Sequence, residues 1–418
     1  MARSDRPAST STSTSTSDAQ HVIVAGGGPT GVVAALACAQ RGFRVTLLEA
    51  AGFIDDNPRA ATTHPSTLEY IARLGFVDEF IEKGLVCRYF QFWDRDTQTR
   101  VAQFDHELLR DETPFPFAVQ TEQHKLVQMV LPKIAAFAGC VHELGTEVLG
   151  AEQDAQRVTV TIRRGAETST LEADYLIAAD GGRSTIRKGL GIAFEGFTFP
   201  ERFTVLTTLH DFERSLGCCY RNYLAGSDEW AMIFKVAGDD MAGRWRAVMP
   251  TRESESDEEA LADASVLSRM QRLDRSCRLD DVVHRKIYNV HQRIAAQFRV
   301  GRIYLAGDAS HLNNPIGGLG LNCGIHDAME LVDTLEAARD GADETRLDRY
   351  QRRRRTLNAE FIQEQTINNK KRLEEKDPAA RQQRLDDLKA TEADPVRHKA
   401  FLMRSSLLAS VQRANTIA

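Results

Sequence analysis

The run Gly26-Gly27-Gly28-Pro29-Thr30-Gly31 follows an apolar stretch, Val22–Ala25, and leads into an Ala-rich one ending at Gln40. Glu49 stands 18 residues beyond Gly31, at the end of a second apolar stretch, Arg44–Leu48. Glycines at this spacing suit a strand-to-helix turn that grips phosphate. Gly26 permits the tight turn, Gly28 lets a pyrophosphate approach the backbone, and Gly31 lets the helix lie close to the sheet. The helix start offers free N–H groups and the positive end of its dipole, and Glu49 is placed to meet a ribose hydroxyl. The glycine spacing alone is weak; the order strand, turn, helix, strand, acid gives it force, and it points to a bound dinucleotide. Arg59, in the loop beyond Glu49, is placed to meet the same ligand. Two further acids close apolar runs: Asp180, followed by Gly181-Gly182-Arg183, and Asp308, which follows Gly307. Acids at the carboxyl ends of parallel strands lie where open α/β sheets bind ligands. Gly317, Gly318 and Gly320 then head a second helix start able to face an anion. Position 323 is Cys, so no second G-x-G-x-x-G exists and one dinucleotide site is expected.

The elements that must position these residues follow from periodicity. Val22–Ala25, Arg44–Leu48, Tyr175–Asp180 and the apolar part of Gly301–Ser310 read as buried strands of a Rossmann-like α/β sheet. Helices are expected over Gly31–Gln40, from Pro65 to Leu74, over Gln123–Phe137 with a kink or early end at Pro132, from Ser184 through Leu190, and over Leu319–Arg339. Ile325, Ala328, Met329, Val332 and Leu335 share one face of the last. Val141–Leu149, Arg157–Arg163 and Glu167–Ala173 read as strands, the latter two a hairpin turning at Arg164–Gly165. Tyr89–Trp93 and Thr99–Phe104 form another hairpin. Phe203–Leu209, Cys219–Leu224, Trp230–Val236 and Arg244–Met249 alternate with no long helix between them, the mark of an inserted antiparallel sheet. Glu253–Arg269 reads as one charged helix and Ile287–Val290 as a short strand. The fold class expected is α/β, with residues 20–85, 112–190 and 286–340 forming a discontinuous dinucleotide-binding domain. Residues 86–111 and 191–285 form the inserted substrate domain, 341–418 a helical C-terminal region, and 1–19 a disordered, Ser/Thr-rich leader. Arg352–Arg355 is the only basic run, read as a solvated helix face.

The 418 residues allow two or three domains, and the 42% apolar and 27% charged contents are those of a globular protein. A net charge of −6 argues against a general nucleic-acid binder. Val22–Gln40 is apolar enough to suggest a membrane span, but its glycines and Pro29 favour the turn-and-helix reading. The seven cysteines show no C-x-x-C and no zinc spacing, and Cys218–Cys219 are merely adjacent. They read as reduced thiols in a cytoplasmic compartment, with no metal expected.

Three motifs in order, GGGPTG with Glu49, ADGGRS at 179–184 and LAGDASHLNNPIGGLGLNCGIHDAMEL at 305–331, resemble the single-component FAD-dependent aromatic hydroxylases over about residues 20–340. These are flavoprotein monooxygenases with the fold of para-hydroxybenzoate hydroxylase. The resemblance implies FAD as the cofactor, with Gly26, Gly28, Gly31 and Glu49 at its ADP part and Pro29, Thr30 and Val148 completing that set. It places Arg59, within Pro58-Arg59-Ala60, and Gln123 near FAD, Asp180 and Gly181 at FAD and NAD(P)H, and Gly307 and Asp308 at the ribityl chain. Pro315, Gly317, Gly318, Gly320, Leu321 and Asn322 would lie beside the isoalloxazine. Departures include HLNN at 311–314, Ser66 where an Arg is frequent, and too few residues after 340 for the thioredoxin-like domain of phenol-hydroxylase-type members.

The resemblance also implies the reaction. NADH or NADPH reduces the flavin, O2 is captured as a C4a-hydroperoxide, and an electron-rich phenolic or hydroxylated heteroaromatic ring takes the distal oxygen. The inserted sheet would roof the substrate pocket. His64, His210, Tyr220, Tyr223, His284 and His311 are candidate bases on position, and His311 is preferred because it flanks the flavin loop. Arg221, with Tyr223, is the candidate contact for the substrate and could pair its carboxylate. The partners expected are a small aromatic substrate and O2, with no nucleic acid and no membrane; a homodimer is admitted. Two alternatives stand beside this reading. One is another FAD oxidoreductase, a double-bond reductase or a halogenase, although Trp93, Trp230 and Trp245 sit in no G-W-x-W-x-I-P run. The other is a non-catalytic FAD-binding redox sensor.

Overall fold

The computed structural model describes residues 19–57 and 59–418. The expected leader, apart from its last residue, and Pro58 of the expected Pro58-Arg59-Ala60 contact lie outside the described residues. A six-stranded sheet orders its strands as Arg299–Val300, Ile303–Leu305, Tyr175–Ala178, His21–Ala25, Arg44–Glu49 and Cys140–Leu144. All neighbours are parallel except the first pair. Val22–Ala25 are fully buried because elements cover both faces of this sheet, which is why they read as a continuous apolar run. The helix Pro29–Gln40 begins two residues before the expected start, with Pro29 in its first turn, where a missing N–H costs nothing. Gly31–Ala39 are all buried in it, because it packs against Leu319–Arg339 on one side and Gln123–Ala135 on another.

Gly31 shows why the residue is glycine. A Cβ there would sit 1.9 Å from the Gly26 carbonyl oxygen, whereas a Cβ on Gly28 would meet nothing within 4 Å. Gly31→Val is therefore expected to lower stability by about 3 kcal/mol through overpacking, read as a fall in the thermal or urea midpoint. Gly28→Ala should leave that midpoint in place; equal losses in the two variants would reject the packing argument.

Four stretches differ from the sequence expectation. Val141–Leu149 is two strands: Cys140–Leu144 ends the parallel sheet, and Thr146–Gln153 joins an antiparallel sheet with Val158–Arg164 and Glu167–Ala173. Gly145, at φ +73°, turns the chain between them, and its N–H bonds the Ala51 carbonyl. Glu253–Arg269 is two helices, Asp257–Leu261 and Asp263–Gln271, because Ala262 is extended and a Ser256–Glu259 capping box starts the first. Ile287–Val290 is the middle of a 14-residue strand, Val282–Ala295, whose charged residues hid its length. Gln123–Ala135 runs through Pro132 and ends two residues before Phe137. The carbonyl freed by Pro132 belongs to Gln128, which is exposed to water.

The large antiparallel sheet has eight strands in the order His311–Leu312, Val282–Ala295, Phe194–Thr208, Arg244–Thr251, Ala231–Val236, Arg221–Ala225, Tyr89–Asp94 and Thr99–Asp105. One pair, Arg221–Ala225 with Tyr89–Asp94, is parallel. Its alternation is two-sided. Val205, Tyr223, Met232 and Val248 belong to one apolar cluster, while Leu206, Leu224, Ile233, Ala247 and Met249 belong to another, with Phe212, Val266 and Met270 from short helices. Both faces are thus covered, one by helices and one by the C-terminal region.

The C-terminal helices, Glu344–Leu357 onward, contribute Leu373, Leu385, Leu388, Leu402 and Leu408 to the first of those clusters, against Phe90, Phe92 and Phe104. Arg352–Arg355 is not a wholly solvated face: Arg354 is 4% exposed and bonds inward. No helix among the described residues is long and apolar enough to cross a membrane.

Candidate functional site

One cavity of about 990 Å³ runs from the Gly26–Gly31 turn to the inner face of the eight-stranded sheet. At its first end lie Gly27, Gly28, Pro29, Thr30 and Glu49. The Glu49 carboxylate accepts from the Gly27 N–H at 2.6 Å and the Ala51 N–H at 2.8 Å, so the acid is locked beside the turn while still facing the cavity. Gly26, at φ +105°, and Gly31 shape the turn from behind and do not line the cavity. Gln123, the first residue of its helix, and Arg59 line the same region; Arg59 pairs with Asp55 at 2.6 Å.

The middle of the cavity is walled by two strand ends. Gly181, at φ +76°, and Arg183 line it, while Asp180 turns back to accept from the Ile186 N–H at 3.2 Å. Gly307, at φ +60°, delivers Asp308 to the wall. The Asp308 carboxylate faces the cavity and accepts no hydrogen bond among the described residues. The protein around the cavity strips part of its hydration and pushes its pKa up, partly offset by the charges of His311 and Arg59, although the side chain stays open to the cavity. Pro315, Gly317, Gly318, Gly320 and Leu321 complete this wall at the start of the helix Leu319–Arg339. Asn322 is fully buried behind it. Its amide accepts from the His64 N–H and donates to the carbonyls of Thr62 and Gly318, so it ties the 62–64 segment to the helix start.

These residues fit a bound FAD on their own chemistry. The helix start at Pro29 offers N–H groups beside a glycine whose missing Cβ leaves open space, and Glu49 and Asp308 present acceptors to the same cavity. Arg59, Gln123 and Gly181 lie between them. Val148 lies outside this lining, in the strand Thr146–Gln153, half-buried against the main core.

The far end of the cavity is the inner face of the eight-stranded sheet. Val205, Arg221, Tyr223, Met232, Phe234, Arg246, Val248 and Tyr288 all line it. Their alternation brings them together: Arg221 faces Phe234, which faces Arg246, and Tyr223 faces Met232, which faces Val248. Arg221 is 5% exposed, its Nε and Nη1 have no hydrogen-bond partner, and it lies over the Phe90 ring at 4.2 Å. Arg246 is 4% exposed and gives one hydrogen bond, to the Arg59 carbonyl at 2.9 Å. Burial lowers its pKa to about 10, which leaves it charged at neutral pH. Neither guanidinium has a carboxylate partner among the described residues. Burial and the charge of Arg221 push His64 well below its ordinary pKa, and lower His106 to about 3, so both imidazoles are neutral. Burial raises the Tyr223 pKa, keeping it a phenol. Behind Arg221 and Tyr223 lies a chamber of about 20 Å³, with Phe90, Phe92 and Phe401 in its wall and the unpartnered Oε1 of Gln365. It has room for one water.

Of the six residues expected as bases, only Tyr223 lines the cavity. His311, the preferred one, is fully buried, and its Nε2 lies 2.8 Å from Asp327. It flanks the loop in sequence, but its ring points away from the cavity into the packing beneath. His210 pairs with Asp274 at 2.9 Å. Arg246, Lys286 and Tyr288 are cavity residues that the sequence reading passed over. Arg246 left a signal: it is a charge between Trp245 and Ala247 in an alternating apolar run.

The chain matches the FAD binding domain family over residues 19–365. It is 32% identical over 368 residues to para-nitrophenol 4-monooxygenase of Pseudomonas sp. (strain WBC-3), covering 86% of this chain and 89% of that protein. It is 29% identical over 365 residues to 6-hydroxy-3-succinoylpyridine 3-monooxygenase of Pseudomonas putida (strain DSM 28022 / S16), covering 86% and 90%. The crystal structure of p-nitrophenol 4-monooxygenase from Pseudomonas putida DLL-E4 superposes with a TM-score of 0.86 at 29% identity, over 92% of this chain and 97% of that one.

Proposed function

The chain belongs to the FAD binding domain family, and from that premise we propose that its substrate is a single-ring phenol or hydroxylated heteroaromatic bound as an anion beside Arg221. The protein is an FAD-dependent aromatic monooxygenase using NAD(P)H and O2. The observation that carries the finer reading is the buried, unpaired guanidinium of Arg221, with that of Arg246 nearby on the same face. A buried cation without a counter-ion is costly and is relieved by an anionic ligand. The neutral His64 and His106 do not compete for it, and none of the imidazoles expected as bases faces the cavity. His124, His142 and His291 do line the cavity, so the reading of a ring that arrives already ionised rests on the buried guanidinium of Arg221. The relatives are named for para-nitrophenol, whose hydroxyl the nitro group acidifies, and for 6-hydroxy-3-succinoylpyridine, a hydroxylated heteroaromatic.

FAD, when bound, supplies the redox chemistry with NAD(P)H and O2. The chain supplies the rest. The turn at Gly28 and the start of the Pro29–Gln40 helix hold the pyrophosphate, Glu49 the adenosine ribose, Asp308 the ribityl hydroxyls. Arg59 and Gln123 line the path between. The start of the 21-residue helix at Leu319 lines the cavity, and its positive dipole would favour negative charge on a cofactor bound there. Arg221 holds the anionic group of the ring, Tyr223 and Tyr288 offer neutral hydroxyls, and Met232, Val205 and Val248 exclude water from the reacting face.

The test is substrate-stimulated oxidation of NADH and of NADPH by the purified holoprotein, with hydroxylated product quantified. The panel pairs acidic phenols and hydroxypyridines with rings of the same size that do not ionise. Stimulation and product formation confined to the ionising members are expected; stimulation by the neutral rings at equal kcat/KM would overturn the anion reading. Light scattering on the same preparation tests the homodimer that the sequence admits.

A further inference from the structure

The turn that delivers Asp308 is held from beneath by a buried ionic chain. Asp327, fully buried in the helix Leu319–Arg339, spends both carboxylate oxygens there. Oδ2 accepts from the Gly307 N–H at 3.0 Å and lies 2.8 Å from His311 Nε2. Oδ1 accepts from Arg354 Nε at 2.6 Å. Arg354 comes from the next helix, Glu344–Leu357, and its Nη2 also reaches Cys323 Sγ at 3.2 Å. Burial opposes charge on His311, but Cys323 and Asp327 outweigh it and hold the imidazole well above its ordinary pKa. Burial likewise opposes charge on Asp327 and is outweighed by Arg354 and His311. His311, Cys323 and Asp327 bring potential metal-ligand atoms within 4.8 Å of one another, but the guanidinium of Arg354 already fills the position a cation would take.

The packing around this chain leaves the turn little freedom. A Cβ on Gly307 would lie 2.6 Å from Thr30 Oγ1. A Cβ on Gly324 would lie 2.4 Å from the same atom and 3.2 Å from Gly307 Cα. Gly324 and Asp327 are three residues apart on one helix face, so the helix presses on the turn through the first and bonds it through the second. Ser310 Oγ donates to the Gly307 carbonyl and Arg187 to the Ala309 carbonyl, both at 2.8 Å, which closes the turn's other side.

We propose that the Arg354–Asp327–His311 chain is a positioning element that fixes the Gly307–Asp308 turn, so that Arg354, from the C-terminal helical region, sets the affinity for FAD without touching it. The proposal rests on the reading that Asp308 meets the ribityl chain. Without Arg354 the Asp327 carboxylate has one cation fewer in a fully buried site. It must then turn toward His311 or recruit water, and either move withdraws its acceptor from the Gly307 N–H.

The test strips FAD from the purified protein and titrates it back by flavin fluorescence. Arg354→Met is expected to raise the Kd for FAD about 10- to 100-fold, by analogy with the loss of residues that orient metal ligands from behind. Arg354→Lys, which restores the charge and one donor, should recover most of it. Arg269→Met is the control. Arg269 is equally buried and paired with Glu255 and Glu229 beneath the other sheet, so its loss should lower the thermal midpoint while FAD binds as in the wild type. If Arg354→Met does not fold, the double variant Arg354→Met/Asp327→Leu removes both charges and is read in the same way. Wild-type FAD affinity in either variant overturns the proposal, as does equal weakening by Arg269→Met. Failure of the wild-type chain to retake FAD would overturn the cofactor reading itself, and the two failures are distinct.

Discussion

Asp308→Ala is expected to weaken FAD binding about 10- to 100-fold, the equivalent of the 1.5–3 kcal/mol that hydrogen bonds to a charged group contribute. The carboxylate faces the cavity and accepts nothing from the described residues, so its acceptors are available to the ribityl hydroxyls and to little else. The same substitution should not weaken the apoprotein. Asp308 is open to the cavity and holds no hydrogen bond among the described residues, so its removal takes no contact from the empty fold. Isothermal titration of FAD into stripped protein and thermal melts of the apoprotein at neutral pH read the two effects separately. Wild-type affinity in the variant rejects the ribityl contact. A fall in the apoprotein melting point would show that Asp308 supports the fold itself.

Arg221→Met is expected to lower kcat/KM for an ionised phenol by about 30- to 5000-fold, because truncating one member of a buried charge pair costs about 2–5 kcal/mol. The loss should fall on the anion alone. A neutral ring of the same size should lose little, and FAD affinity and the slow oxidation of NAD(P)H without substrate should hold. The Arg221 guanidinium lies over the Phe90 ring at 4.2 Å; methionine can still pack on that ring but gives no cation–π attraction, so the comparison reads the loss of the charge. Steady-state kinetics on matched ionising and neutral rings decide the matter. If both rings suffer equally, Arg221 shapes the pocket; if neither does, the anion is held elsewhere. Removing Arg221 also removes a charge that lowers the His64 and His106 pKa values. Both should rise, while burial still keeps them below the ordinary value.

Much of this was legible because glycine and periodicity carry hard constraints. Leu319–Arg339 is a helix over the expected residues, since its apolar face repeats without interruption. The turn around Gly26–Gly31 was legible because Gly31 has no room for a side chain. The alternation of Trp230–Val236 and Arg244–Met249 was legible because the two faces of that sheet belong to two apolar clusters. What escaped was set by distant partners. Val282–Ala295 is a long strand carried by neighbours on both sides, and its own charged residues gave no strand pattern. Arg354 looked like one of four solvated arginines because its counter-ion, Asp327, lies 27 residues away on another helix. His311 looked reactive from its place beside the loop, yet its partner turns it inward. Val148 was placed at the cofactor although the chain leaves the parallel sheet at Gly145.

The strand order of the six-stranded sheet has a consequence in time. His21–Ala25 pairs with Tyr175–Ala178, which pairs with Ile303–Leu305. The wall carrying Asp308 therefore cannot form until some 300 residues have left the ribosome, about 15–60 s after the first strand at ordinary synthesis rates. Until then the Gly26–Gly31 turn has no opposite wall. On the reading that FAD spans both walls, its complete site would exist only late in synthesis, and a cell short of flavin would accumulate a finished but empty chain.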